Sequence, residues 1–366
     1  MTTKTLARDL PLDAPLVREE QRARGEDAAM IRLASGLARE LGDYRPWVYW
    51  ADTLASALIG WGALAALMLL PALPLWASAG LFVLSVLGLY RLGSFIHEIS
   101  HMKDSSVPGY RTGWNLIAGV PLLIPSFMYE GVHNLHHMKN RYGTARDPEY
   151  MALARKPKLS VPLFVLVAAL GPLGLLIRWA VLAPLSVLMP GLRAFVAARF
   201  SALSINPEFR REPVSGEARA RWLRLEVATS LFAMAVLVGV VSGVVPLRAF
   251  LIWLAVLSVS MVINQIRTLA AHLWENDGTP MSITAQYLDS VNVPPPALLP
   301  AIWAPVGLRY HALHHLLPAL PYHALGEAHR RLIAEVPAAS AYHGGNHSSM
   351  MGVVARLWKT AGTHAG

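Results

Sequence analysis

Nine histidines fall into groups whose spacing could hold metal. His97 and His101 are four residues apart, and HNLHH (133–137) and HALHH (311–315) both place imidazoles at i, i+3 and i+4. On a helix these positions share a face, with Cβ atoms about 5–6 Å apart. Each group can therefore aim two or three rings at one point. A further contributor is His272 in NQIRTLAAHLWEND (264–277). Imidazole suits zinc, copper, iron and nickel. One zinc ion takes about three or four protein ligands, so His97, His101, His133, His136, His137, His272, His311, His314 and His315 are too many for it. Two ions taking four or five rings each would use them all. An all-nitrogen dinuclear site with open positions points to iron and oxygen chemistry. The scattered His323, His329, His343, His347 and His364 read instead as surface or capping residues.

Carboxylates near the groups could orient the rings through their second nitrogen. Glu98, Asp104, Glu130, Asp147, Glu149, Glu275 and Asp277 all lie close in sequence. Glu130, three residues before His133, and Asp147 are the two expected to do so. A competing pattern overlaps the first group: HEISH (97–101) satisfies HExxH, in which two histidines bind zinc and the glutamate is a general base. An intramembrane protease could be built on it with Asp277 as third ligand, but that leaves six clustered histidines idle. Glu98 is then expected on the helix surface or behind a ligand.

The elements that must position these groups are apolar. The 366 residues are 54% hydrophobic and 15% charged, with a mean hydropathy of +0.40; a soluble domain has about 25% charged residues. Apolar runs at 47–73, 75–96, 227–246 and 250–269 are each about 20 residues, long enough to cross a hydrocarbon core. They pair through short turns into two hairpins. Residues 114–128 are too short and proline-broken for a span, and read as interfacial or re-entrant. Residues 161–189 contain Gly171-Pro172, Arg178 and Pro184, which predicts a hairpin dipping into the membrane, or an interfacial helix pair, rather than one straight span.

The net charge of +9 lies in the stretches between the runs. Membrane orientation explains it better than nucleic acid does, so no nucleic-acid partner is expected. The absence of cysteine excludes disulfides, thiolate zinc sites, iron–sulfur clusters and a cysteine nucleophile. The charged N-terminus has no apolar core and is not a signal peptide. With four spans, every histidine group and both termini fall on one face, expected to be cytosolic. The fold expected is all-α integral membrane, with about four spans, interfacial or re-entrant helices and a cytosolic histidine cap. Its parts are a cytosolic tail at 1–45, a membrane domain at 46–335 and a loosely ordered C-terminal tail at 336–366. A transporter would carry ionisable residues within the spans, and these carry few.

Boxes of the form HxxxH, HxxHH and HxxHH around two membrane hairpins resemble the membrane fatty acid desaturase family. HNLHHMKNRYGTARDPEY looks like the second box of bacterial acyl desaturases, HALHHLLPALPYHALGEAHRRL like their third, and NQIRTLAAH like the end of their last span. The resemblance covers roughly residues 45–335. It implies a non-haem di-iron centre held by the nine histidines, O2 as co-substrate, and electrons from a separate ferredoxin- or cytochrome-like donor with its reductase. Asn264 matches an asparagine that can reach a metal through water. The expected activity is introduction of a double bond into a fatty acyl chain in a bacterial inner membrane. Lipid or carotenoid hydroxylases and ketolases share the boxes and remain the alternative.

Overall fold

The computed structural model describes residues 26–362 apart from Pro71; the first 25 residues of the expected N-terminal tail, and His364, lie outside the described residues. Among the described residues all regular structure is helical, with isolated β-bridges such as His272 to Ser290. The helices that matter here are α1 (Ala28–Leu41), α2 (Pro46–Leu69), α3 (Leu75–His101), α4 (His133–His136), α5 (Ser160–Ala169), α6 (Gly171–Leu188), α7 (Gly216–Val241), α8 (Leu247–Leu269), α9 (His311–Leu316), α10 (Tyr322–Glu335) and α11 (Met350–Thr360).

Five helices are long and apolar enough to cross a membrane: α2, α3, α6, α7 and α8. Leu58, Leu69, Leu75, Trp76, Leu166, Val238 and Val241 are exposed on them and on α5, and a band of this extent calls for a hydrocarbon solvent. Proline opens three of the long helices: Pro46 is the first residue of α2, and Pro74 and Pro246 immediately precede α3 and α8. Proline is tolerated at a helix start, where the backbone N–H has no intrahelical partner.

Helix α6 is the departure from expectation. Gly171–Leu188 runs as one helix, where the sequence predicts a break. Pro172 falls in its first turn, and a π-helical turn at Arg178–Leu182 precedes Pro184. The widened turn absorbs the backbone mismatch that proline creates. Arg178 is accommodated because its Nη2 meets Glu226 Oε1 of α7 at 2.6 Å. The pairing of α5 and α6 nevertheless keeps the form of an excursion. Ser204 donates to Pro148 O at 2.7 Å, and Asn206 donates to Asp147 O at 2.8 Å. The chain therefore leaves and returns to the same end of the bundle.

Helices α2 and α3 touch at glycine. A Cβ on Gly88 would lie 2.7 Å from Gly60 Cα, and one on Gly60 would lie 2.7 Å from Leu89 Cδ2. Small residues let the backbones meet, the usual membrane solution. Gly88→Ala is expected to cost about 1–3 kcal/mol through overpacking, read as a lowered unfolding midpoint in detergent. Residues 114–128 break into a π turn (Asn115–Gly119) and a 3-10 turn (Ser126–Met128), with Trp114, Leu123 and Phe127 buried.

Both ends of the described chain are built into the cap over the histidine end of the bundle. On α1, Met30, Ala34 and Leu37 pack with Leu325, Ala328 and Leu332 of α10. Asp27 caps α1 by accepting from Met30 N at 2.9 Å, and its other oxygen accepts from Ser340 Oγ at 2.6 Å. The expected loose C-terminus is instead a capped, amphipathic α11 burying Met350, Val353 and Leu357. His329, expected at the surface, is buried, with Nδ1 2.9 Å from Tyr342 Oη. Burial, with Arg309 and Arg330 behind it, pushes this ring down to about 4. The unfolded chain takes up that proton near pH 6.5 and the fold only near 4. Stability is therefore lost as pH falls through that window. His329→Gln is expected to show a weaker pH dependence of its melting temperature between those values.

Candidate metal centre

Four separate segments bring the nine histidines together. His97 and His101 end α3; His133 and His136 form α4, with His137 capping it; His272 follows the last turn of α8; His311, His314 and His315 lie on α9. A backbone clasp fixes His272: Leu273 N donates to Asp289 O at 2.7 Å, and Val291 N to Ala271 O at 2.9 Å.

The rings sort into two sets of four. His97, His101, His133 and His314 offer nitrogens within 4.8 Å of one another, and so do His136, His272, His311 and His315. His137 lies between the sets. Its Nε2 is 3.0 Å from His133 Nε2 and 3.2 Å from His314 Nε2, and its ring stacks on His315 at 4.3 Å. In the second set, His272 Nε2 lies 3.3 Å from His136 Nε2 and 2.9 Å from His311 Nε2.

These contacts test whether the residues fit metal. Three of the rings have Nδ1 tied off from behind. His133 Nδ1 lies 2.7 Å from Glu149 Oε1, His136 Nδ1 lies 2.9 Å from both oxygens of Asp147, and His272 Nδ1 lies 2.8 Å from Tyr142 Oη. Tyr142 Oη in turn donates to Asp289 Oδ2 at 2.9 Å. A ring that gives its Nδ1 proton to such a partner presents a bare Nε2 lone pair to the centre. Lone pairs facing each other at about 3 Å repel, and a shared cation with bonds of about 2.0–2.1 Å would occupy that space. Both nitrogens of His97, and Nε2 of His101, are buried without a hydrogen-bond partner. Unpaired buried nitrogens are costly, and a cation would pair them. The donor set fits two ions.

Electrostatics agree. Burial first, then the neighbouring rings, hold His133, His137, His311, His314 and His315 well below the ordinary imidazole range. Neutral imidazole is the metal-binding form. His136 is the exception: burial works against its charge, but Asp147 prevails and raises it. Burial also pushes Glu149 up to about 7, against the pull of His136 and Tyr129.

Asp147 stands behind His136, fully buried, and also accepts from Gly143 N at 2.8 Å. Glu130 does not touch an imidazole. The chain turns at Gly131, with φ of 71°, and α4 begins only at His133, so the helical face that would align Glu130 with His133 does not exist. Glu130 instead accepts from Ser126 Oγ at 2.5 Å and pairs with Arg111 and Arg221. Glu149 takes the place behind His133. Asn264 Oδ1 accepts from Arg267 Nη2 at 3.0 Å. Tyr142 and Asp289 carry no spacing signal that would have marked them.

The HExxH reading lacks its parts. Glu98 Oε2 is engaged by Tyr49 Oη at 2.5 Å and by Tyr322 N at 3.0 Å. Asp277 is exposed and bonds Thr279. The companions of His97 and His101 are two further histidines.

An apolar helical bundle thus carries a poly-histidine centre at one end. The fatty acid desaturase family model matches residues 74–345, and the chain belongs to that family. A ceramide hydroxylase of Caulobacter vibrioides (strain NA1000 / CB15N) is 47% identical over 333 residues, which cover 91% of this chain and 94% of the relative.

Proposed function

We propose that this protein is an O2-dependent di-iron hydroxylase that oxidises a C–H bond of a ceramide-type lipid. The observation that carries this is the convergence of nine imidazoles, seven of them buried, in two sets joined by His137, in a chain 47% identical to a ceramide hydroxylase. His97, His101, His133 and His314 would hold one ion. His136, His272, His311 and His315 would hold the other, with His137 at the boundary. Bound there, two irons would supply O2 activation and the oxidising power that an unactivated C–H bond demands. The chain's part is to hold the rings neutral and aimed, to exclude bulk water, and to place the lipid.

The overall balance is one C–H bond, O2, two electrons and two protons giving the alcohol and water. The electrons come from a separate ferredoxin- or cytochrome-like carrier and its reductase. Desaturation, the second reading, is favoured by the box sequences. It has the same oxidant and electron demand but removes hydrogen from two adjacent carbons. The face bearing the histidines is assigned to the cytosol of a bacterial inner membrane. Lipid extracts of a ceramide-producing host expressing the protein test the reading by mass spectrometry. A gain of one oxygen atom supports hydroxylation, and a loss of two hydrogens would replace it with desaturation.

Asp147 and Glu149 are assigned as the groups that orient His136 and His133. Asp147→Asn and Glu149→Gln are each expected to weaken iron binding by about 10- to 100-fold. Chelator competition on the purified protein measures this directly.

A further inference from the structure

The chain carries no charged residue between Asp289 and Arg309, yet this stretch lies outside every membrane-length helix. Its middle, PPPALLPAIW (294–303), ends in a short helix, Pro300–Trp303. Leu298 is 82% exposed, Leu299 70% and Ile302 53%. Large apolar side chains gathered at one exposed tip mark an interaction surface.

Depth and backbone bonding together say what covers this tip. Trp303 O accepts from Tyr90 Oη of α3 at 2.7 Å. From Leu75, the start of α3, to Tyr90 is about 22 Å along the helix. A hydrocarbon core is about 30 Å thick, so a core beginning at Leu75 takes in Tyr90 and the Trp303 carbonyl beside it. In hydrocarbon, backbone N–H and C=O groups must find partners inside the protein. Four of the ten residues are prolines, which have no N–H to place. Arg309 Nη2 donates to Ala297 O at 2.7 Å. Ala301 N donates to Leu298 O, Ile302 N to Leu299 O and Ala304 N to Pro300 O, each at 2.9 Å. A loop tip in water has no need of such bonds, since solvent satisfies its carbonyls. The segment also rests on apolar neighbours: Ala297 and Trp303 pack with Ala270 and Leu273, just past α8, and with Met350 and Val353 of α11. Helix α11 in turn exposes Met351 and Trp358.

We infer that residues 294–303 insert into the leaflet on the histidine side of the bilayer, with Leu298, Leu299 and Ile302 among its acyl chains. The cap is then held to the membrane at a point other than the five long helices. Backbone bonds tie this contact to the centre: Val293 N donates to Arg309 O at 2.8 Å, and Ala312 N, beside His311, to Val291 O at 3.2 Å. The inference concerns where the protein meets lipid and does not depend on the reaction catalysed.

The absence of cysteine lets a single introduced label report its own site. Leu298→Cys, Leu299→Cys and Ile302→Cys, each carrying a nitroxide, are compared in vesicles of phosphatidylcholine and phosphatidylglycerol. Leu84→Cys, at an exposed position of α3, serves as the lipid reference. Glu335→Cys, exposed at the end of α10, serves as the water reference. Relaxation of each label is read with oxygen, which concentrates in hydrocarbon, and with a nickel chelate, which stays in water. Nickel relaxation is expected to be lost at 298, 299 and 302, as at 84, with oxygen relaxation kept. Nickel relaxation at 298 and 299 equal to that at 335 overturns the inference. Protection from both reagents, or dipolar broadening between two copies, also overturns it, since protein then covers the tip. If the labelled variants do not fold, the unmodified protein carries the test in the same vesicles, doped with a lipid bearing a diazirine in its acyl chain. Mass spectrometry after illumination is expected to find adducts within 294–303. Adducts on α3 with none in that segment overturn the inference.

Discussion

His136→Ala and His314→Ala are each expected to abolish lipid oxidation, and to do so by emptying different halves of the centre. The two residues belong to different sets of four. Iron-loaded wild type should carry about two ions per chain, and each variant should carry fewer. Activity should fall to background in both, because a single remaining ion lacks its neighbour. Elemental analysis of purified protein beside product assays checks this. The contrast with a zinc protease is sharp. A protease built on HEISH would lose metal with His97→Ala and keep it in His314→Ala. The structure argues against that outcome, since His97 and His314 lie with ring centroids 4.2 Å apart.

Glu226→Leu is expected to be the most destabilising single change away from the centre. Glu226 Oε1 takes Arg178 Nη2 at 2.6 Å, and its Oε2 takes Arg193 Nη2 at 2.7 Å. Arg178 also sits over the Trp179 ring at 4.4 Å and has almost no exposure. Removing the carboxylate leaves a buried guanidinium uncompensated, which costs about 3–5 kcal/mol. The double variant Arg178→Met with Glu226→Leu removes both charges and should regain most of the loss. Unfolding in detergent, followed by tryptophan fluorescence, distinguishes the two. If the single variant proves as stable as wild type, the ion pair is not what permits α6 to run unbroken past Arg178.

The histidine groups were legible because their chemistry is local: two or three rings on one short helical face announce themselves in five residues. The partners behind the rings were not. Glu130 lies on the right face only if the helix reaches back to it, and Gly131 prevents that. Glu149 arrives by a loop that turns at Gly143, with φ of 71°, and passes through Asp147 and Pro148. No periodicity records such a path. The unbroken α6 was hidden for a similar reason. Its prolines and arginine look disruptive until the π turn and Glu226, 48 residues away, are seen. The C-terminal segment reads as loose because HGGNHSSM is rich in glycine and serine. Yet Ser349 caps α11 by accepting from Gly352 N at 3.3 Å, which is a common use of serine at a helix start.

The scattered origin of the rings has a consequence for how the protein is made. His136 and His272 are 136 residues apart in sequence, and His137 and His314 are 177 apart. Neither set of four can close until α9 has been synthesised, near the end of the chain. Contacts this distant form late and slowly. A nascent or truncated chain therefore holds only fragments of the centre, with no pocket able to retain a pair of ions. The centre is complete only when all four histidine segments have met in the assembled bundle.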